Sequence, residues 1–332
     1  MSLRYIVQRI GAFLLTVVVA ATLNFAIPRL SPQDPIAALT GKMASRGKLV
    51  QGGDQLINQY KQEFGLDKPL IVQYENYMEN LLLHGDMGYS LAYFPTKVTT
   101  VVLRAVPWSL GLLVVANLLA FAIGNLLGAL AAWRTSPKIV KFLVYALMPL
   151  SSIPYYILAI LLVYLLAYTI PVFPLTGTFT VGSVRGFNLT TIIDLALHAA
   201  LPVLSIALSL VGFWALSMRG TMTMVLGEDY LTYARSKGLK ETRIFSRYAM
   251  RNALLPQVTA LAIDLGRMIS GAILVEIIFN YPGVGLVLFN ALRTADYFVI
   301  QGVIMFIIIS VALATLIVDL VYPILDPRIK SL

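Results

Sequence analysis

The chain has 332 residues, of which 58% are hydrophobic and 12% charged, where soluble domains carry about 45–50% apolar and about 25% charged residues. No soluble core of this length hides so much apolar surface, so much of it must face lipid. No cysteine and two histidines, His84 and His198, argue against a disulfide framework, thiolate chemistry or a multi-histidine metal centre. The net charge of +9 fits basic cytoplasmic loops of a membrane protein and needs no nucleic acid.

A helical span takes about 20 mostly apolar residues. Six stretches meet that length: 8–28, 106–132, 139–168, 196–218, 254–278 and 298–322. They are too long and too uniformly apolar for barrel strands, which alternate over about 10 residues. The first stretch begins like a secretory signal, with Arg4 and Arg9 ahead of it and Ala20 and Ala21 within it. Its apolar run continues to Pro28, beyond the usual ~7–15 residues of a signal, and is read as a retained span. Residues 31–105 are polar and punctuated by Pro and Gly, with helical patches at 55–64 and 73–83. They read as a small extracytoplasmic insertion between spans one and two. Pro154 in the third span, Pro171 at its end and Pro323 at the end of the sixth predict kinks.

Orientation follows from Lys and Arg. With the N-terminus inside, the inner segments hold Arg4, Arg9, Arg134, Lys138, Lys141, Arg219, Arg235, Lys237, Lys240, Arg243, Arg247, Arg251, Arg328 and Lys330. Their acids are Glu228, Asp229, Glu241 and Asp326. Basic short loops belong to the cytoplasm, and six spans return the C-terminus to the same side. The expected organisation is a first helix in 1–30, the insertion in 31–105, a five-helix core in 106–322 with a cytoplasmic loop at 219–256, and a tail at 323–332.

The cytoplasmic loop carries the most specific pattern. Glu228 and Asp229 stand where a helix should begin, Arg235 and Lys237 near its end, each sign favourable to the helix dipole. Gly238 is suited to terminate that helix as C′. The spacing predicts a helix over 228–237, about 15 Å long at 1.5 Å per residue. Tyr230, Ala234 and Gly238 share one face at i, i+4, i+8, and the small Ala234 and Gly238 would let a partner approach closely. A second basic helix follows to Asn252, expected to cap the next span, with Pro256 in its first turn. On charge alone the loop would simply touch anionic lipid.

This loop resembles the EAA loop of ABC-importer permeases, of general form E-A-A-x3-G-x9-I-x-L-P. Aligned on Gly238, the triplet is Thr232-Tyr233-Ala234, so only Ala234 matches, and Pro256 lies 18 residues after Gly238, five more than the general form. Both departures resemble the oligopeptide/dipeptide/nickel branch, whose loops read E-D-Y-x3-A-x-x-K-G-L and R-N-A-L-L-P. The matching residues are Glu228, Asp229, Tyr230, Ala234, Lys237, Gly238 and Leu239, then Arg251, Asn252, Ala253, Leu254, Leu255 and Pro256. The opening Arg4-Tyr5-Ile6, Phe64-Gly65-Leu66-Asp67-Lys68-Pro69-Leu70 and Gly85-Asp86-Met87-Gly88-Tyr89-Ser90 are similar to the same branch. So are Tyr281-Pro282-Gly283-Val284-Gly285, Asp296-Tyr297 and Leu325-Asp326-Pro327-Arg328.

The resemblance covers nearly the whole chain and points to the B-type subunit. It implies an all-α type I ABC-importer permease fold in the cell inner membrane. The implied partners are a C-type permease, one or two cytoplasmic ABC ATPases that bind ATP and Mg themselves, an extracytoplasmic substrate-binding protein and the lipid bilayer. By resemblance, Glu228, Asp229, Tyr230, Ala234, Arg235, Lys237, Gly238 and Leu239 dock the ATPase, and transport proceeds by alternating access. Peptides are the implied cargo, with oligosaccharides and nickel complexes as alternatives within the family. No cofactor on this chain, no catalytic constellation and no phosphate-binding loop are expected. A self-powered secondary transporter is the competing class. It fits poorly with sparse titratable residues and the absence of a visible repeat.

Other intramembrane polar residues keep two readings. Asp264 and Arg267, at i, i+3 in the fifth span, are a mutually neutralising structural pair or part of a translocation path. Glu276 near the outer end of that span shapes a gate or bonds a loop backbone, and Asp319 reaches interfacial water. Tyr155 and Tyr156 line a path or are interfacial tyrosines. Asn117 and Asn125 share one face of span two, where interhelical hydrogen bonding is the default, and Gly124 and Gly128 form a small-x3-small packing pair.

Overall fold

Long apolar runs fold as helices in lipid because no water is there to satisfy a free backbone group. The computed structural model describes residues 3–30, 62, 65–183, 186, 188–267 and 272–325. Apart from an isolated bridge between Tyr89 and Lys97, regular structure among them is helical. The predicted patch at 55–64 falls almost wholly outside the described residues; of the predicted tail at 323–332, residues 323–325 close the last helix and 326–332 lie outside the described residues.

In chain order the helices are α1 Leu3–Leu30, α2 Leu70–Glu79 with a π turn Asn80–His84, α3 Val98–Ala132, α4 Lys138–Ser152, and α5 Tyr155–Leu162 with a π end Val163–Thr169. Then come α6 Leu189–Leu226 and α7 Asp229–Ser236. Helix α8 opens at Glu241–Arg243, passes through a π-helical stretch Ile244–Met250 and continues as Arg251–Arg267. Last are α9 Ile273–Ile278, α10 Val284–Thr294 and α11 Tyr297–Leu325.

Among the described residues, four helices are long and apolar enough to cross a membrane: α1, α3, α6 and α11. The pair α4 and α5 makes a fifth if counted as one span, bent by 105°. The predicted kink at Pro154 is therefore a full break. Pro154 keeps Ile153 out of the helical region, and Ile153 sits extended at ψ 125°. The stretch predicted as the fifth span is helical over Arg251–Arg267 and Ile273–Ile278, with 268–271 outside the described residues.

The chain divides into two units. One comprises Met1–Ser109, Ile269–Ile273 and Pro282–Leu332. Here α1 and α11 run antiparallel. At one end Arg9 Nη1 pairs with Asp319 Oδ2 at 3.1 Å, and the Tyr5 hydroxyl donates to the Asp319 carbonyl at 3.0 Å. At the other end, buried Asn24 and Gln301 each donate a side-chain N–H to the other's backbone carbonyl, at 2.8 and 2.9 Å. Asp319 thus has an ion-pair partner rather than only interfacial water. Helix α2 lies on α1 through Phe25 and Tyr74, whose rings meet edge to face at 5.3 Å. Val98, Val102, Val284, Val299 and Val303 form a second core, into which Gly302 packs so closely that a Cβ would strike Val98.

The loop 85–97 of this unit is pinned by Asp296, which is 1% exposed. Its carboxylate caps α11 by accepting from the Val299 N–H at 3.2 Å. It also accepts from Ser90 Oγ at 2.5 Å and the Ala92 N–H at 2.9 Å. Asp86 accepts from the Gly88 N–H and from Lys97. Burial opposes the charge on Asp86, but those hydrogen bonds and the Lys97 ammonium outweigh it and hold the carboxyl below its ordinary range. Asp296→Ala removes a cap and strands two donors, so it is expected to cost about 3 kcal/mol. Thermal unfolding in detergent reads that loss, together with faster protease cleavage within 89–95.

The other unit comprises Leu110–Met268 and Leu274–Tyr281. Helix α6 is its axis, with Trp214, Met218 and Met222 essentially inaccessible. α3 crosses it at Gly124 and Gly128, where a Cβ would land on the backbone of Val211 and Ala215. α4 crosses at Gly212, whose N–H donates to Ser151 Oγ at 3.0 Å. The small-x3-small reading of α3 is met as a backbone-to-backbone contact.

Candidate functional site

The segment after α6 builds the candidate site. Glu228 stands at the N-cap position in an extended conformation, at φ −78° and ψ 139°, without a side-chain capping bond. Asp229 occupies the first turn and Arg235 the last, each opposing the helix dipole's local charge. Gly238 ends α7 at φ +70°. Its N–H bonds the Arg235 carbonyl at 2.9 Å, and the Leu239 N–H reaches the Ala234 carbonyl at 3.4 Å. These are the two bonds of a Schellman motif, with Gly238 at C′ and Leu239 at C″.

The helix is anchored through Leu231 and Ala234, at 0% and 4% exposure. They enter a core made by Ala129 and Trp133 from the end of α3, Met218 and Met222 of α6, and Ile244, Ala249 and Ala253 of α8. Leu239 packs partly against the same core. This corrects the expectation that Ala234 offers a small surface to a partner. Ala234 is turned into its own chain, and its size fits that core. The face left to solvent carries Asp229, Thr232, Tyr233, Ser236 and Lys237. Tyr233 is 64% exposed, with the Lys237 ammonium 4.6 Å from its ring centroid. The exposed aromatic at Tyr233 was not singled out in the sequence. The i, i+3 pair Leu231 and Ala234 was the available signal, because it fixes which face turns inward.

Tyr230 and Arg235 tie α7 to α8. The Tyr230 hydroxyl accepts from Asn252 Nδ2 at 2.8 Å and donates to the Tyr248 carbonyl at 3.4 Å. Arg235 Nε meets Glu241 Oε1 at 3.4 Å. Asn252 was expected to cap a new helix. Instead it lies inside a helical run continuous through Ile244–Met250 and Arg251–Arg267. With no helix start to cap, its amide turns to Tyr230.

The candidate path residues fall in different settings. Asp264 Oδ2 accepts from Asn117 Nδ2 at 3.2 Å, and Asn117 Oδ1 accepts from Trp214 Nε1 at 3.2 Å. The Arg267 side chain, the other half of the predicted pair, lies outside the described residues. One turn below Leu261 of the same helix, Gln257 is buried and donates to Ser217 Oγ at 3.0 Å and Thr221 Oγ1 at 3.3 Å. Glu276 is 2% exposed. The turn after it is closed by the Tyr281 N–H on the Glu276 carbonyl at 2.8 Å and by Gly177 N–H on the Phe279 carbonyl at 2.8 Å. Tyr155 and Tyr156 stand just past the α4–α5 break, half-buried, with rings edge to face at 6.1 Å. His198 is buried against Asp194, which also accepts from the Thr180 hydroxyl at 2.7 Å and its N–H at 2.8 Å. That local tie holds the loop before α6.

The chain matches two family models. Residues 124–331 match the binding-protein-dependent transport system inner membrane component, and residues 2–104 match the N-terminal part of such membrane components. Among curated proteins, it is 31% identical to the dipeptide transport system permease protein DppB of Escherichia coli, over 99% of both chains. It is 31% identical to the DppB of Bacillus subtilis over 98% of both. It is 29% identical to the oligopeptide transport system permease protein AppB of Bacillus subtilis, over 98% of this chain and 99% of that one.

Proposed function

The chain belongs to the family of binding-protein-dependent transport system inner membrane components, and from that premise we propose that it is the B-type permease half of an ATP-driven peptide importer. It crosses the inner membrane six times with both termini in the cytoplasm, and residues 31–105 form an insertion on the outer side. It pairs with a C-type permease. A substrate-binding protein delivers cargo to the outer face, and the cytoplasmic ATPases that bind ATP and Mg drive alternating access.

The observation that carries this reading is α7: an eight-residue helix, sealed by a Schellman turn, gripped by Leu231 and Ala234, and displaying Asp229, Tyr233 and Lys237 outward. A short rigid helix with one face built into its own chain and the other left to solvent suits docking into a groove of a partner. Coupling requires contacts that differ between two states of that partner. A two-sided element meets this need because a groove can move it while its inner face stays packed. Peptide cargo is favoured by the names of the relatives, which are dipeptide and oligopeptide permeases over nearly full length.

The test is purification of the tagged chain from mild-detergent membranes, with co-purifying proteins identified by mass spectrometry. A second permease and P-loop ATPases are expected. Recovery of this chain alone, moving solute in liposomes without ATP, would overturn the proposal.

A further inference from the structure

Helix α7 is joined to the rest of its unit by two kinds of contact. Leu231 and Ala234 pack on α3, α6 and α8 together. Apolar contact of this kind is non-directional, so it holds the helix down without committing it to any one neighbour. The polar side-chain links differ. Arg235 reaches Glu241 at the start of α8, and Tyr230 reaches Asn252 and the Tyr248 carbonyl further along the same helix. Tyr248 and Asn252 are i, i+4 and share a face. One hydroxyl thus spends its donor and an acceptor site on adjacent turns of one helix. Glu241 and Asn252 are about 16 Å apart along that axis. Attachment at two separated points fixes rotation as well as position.

We infer that Tyr230 and Asn252 are positioning residues that make α7 and α8 move as one lever, so that a displacement of α7 is delivered along α8 to Gln257 and Asp264. Gln257 lies five residues beyond Asn252, about 8 Å, and Asp264 twelve beyond, about 18 Å. Each is hydrogen-bonded to another helix: Gln257 to Ser217 and Thr221 of α6, and Asp264 to Asn117 of α3. A rotation of α8 strains those bonds directly. The π-helical stretch Ile244–Met250 lies between the two attachment points. Such stretches are rare and concentrate where a helix does something besides pack. Without the Tyr230–Asn252 link, only the longer bond from Tyr230 to the Tyr248 carbonyl holds this end of α7, and α7 would pivot about the Arg235–Glu241 contact and dissipate part of the displacement. Both partners of the link are exposed enough for water to replace their hydrogen bond. Its loss therefore touches transmission far more than stability.

The inference rests on α7 being the docking helix, and the test separates the two. Asn252→Ala, Tyr230→Phe and the double variant are purified in the full transporter and reconstituted in vesicles. ATPase retention, ATP hydrolysis and peptide uptake are measured for each. Asn252→Ala is expected to retain its ATPase and go on hydrolysing ATP. Its uptake per ATP falls about fivefold to tenfold, the scale of one hydrogen bond between neutral groups. Tyr230→Phe, which also loses the hydroxyl's bond to the Tyr248 carbonyl, lowers the same ratio by at least as much, and the double variant is no worse than Tyr230→Phe, because that substitution already removes the bond Asn252 makes. Unchanged uptake per ATP in both singles overturns the inference. So does a parallel fall of hydrolysis, uptake and abundance, which is the signature of a structural role alone. If no ATPase accompanies the unaltered chain, the docking reading itself has failed, and that result appears before any variant is made.

Discussion

Gly238→Arg is expected to leave the chain in the membrane at near-normal abundance and to cut uptake about tenfold or more. Gly238 sits at φ +70°, where an L side chain meets its following carbonyl at a cost of roughly 1–2 kcal/mol. A Cβ there would touch nothing within 4 Å, so no clash spreads into the core and global folding survives. The strain is relieved locally, by unwinding the turn that carries the Gly238–Arg235 and Leu239–Ala234 bonds. Unwinding withdraws Leu239 from the core it partly joins and lets the end of α7 that carries Lys237 drift. The exposed face is then misaligned with the groove it must enter, and a new cation is added to it. Gly238→Asn is the control, because asparagine tolerates the left-handed region, and it should retain most of the uptake. Normal uptake in Gly238→Arg would sink the docking role of α7. Equal loss in both variants would show that the presence of any side chain at 238, and not backbone strain, decides the outcome.

What the sequence reveals about this site, and what it conceals, follows from the range of the interactions. Gly238 was legible because a helix end with like-signed residues behind it has few ways to stop, and glycine is the least strained of them. The approach of α3 and α6 was legible because Gly124 and Gly128 stand four apart on one helical face. Ala234 was misread. Its spacing from Tyr230 and Gly238 defines a face, but spacing alone does not say whether that face looks inward. Leu231, one turn earlier, is what turns it to the core. Asn252 was misread for a different reason. A capping residue is recognised by the start of a helix, and the π-helical run Ile244–Met250 removes that start. Its actual partner, Tyr230, is 22 residues away. Distance likewise hid Arg9 from Asp319 and Asn117 from Asp264. At Pro154 the residue announced a disturbance, but its size depends on how α4 and α5 each pack on α6. That belongs to tertiary structure.

Gly128→Leu is expected to remove most of the chain from the membrane fraction, and Gly128→Ala to lower its thermal midpoint in detergent. In both cases the loss of uptake should exceed the loss of abundance. A Cβ at Gly128 would fall on the Ala215 carbonyl and crowd Met218. The first of these is backbone and cannot rotate away, so α3 must separate from α6. Overpacking of this kind costs about 1–3 kcal/mol for small additions, and more where the obstacle is main chain. Gly111 lies on the same helix with open space around it, and Gly111→Ala should be neutral or stabilising, since alanine is favoured in a helix by about 1 kcal/mol. The contrast isolates helix approach from helix propensity. Uptake should suffer beyond abundance because Ala129 and Trp133, immediately beyond Gly128, help form the core that grips Leu231 and Ala234. Opening α3 from α6 there loosens the seat of α7 while its exposed face is chemically unchanged. A Gly128→Ala protein with normal thermal midpoint and normal uptake would mean that the two helices do not meet through their backbones.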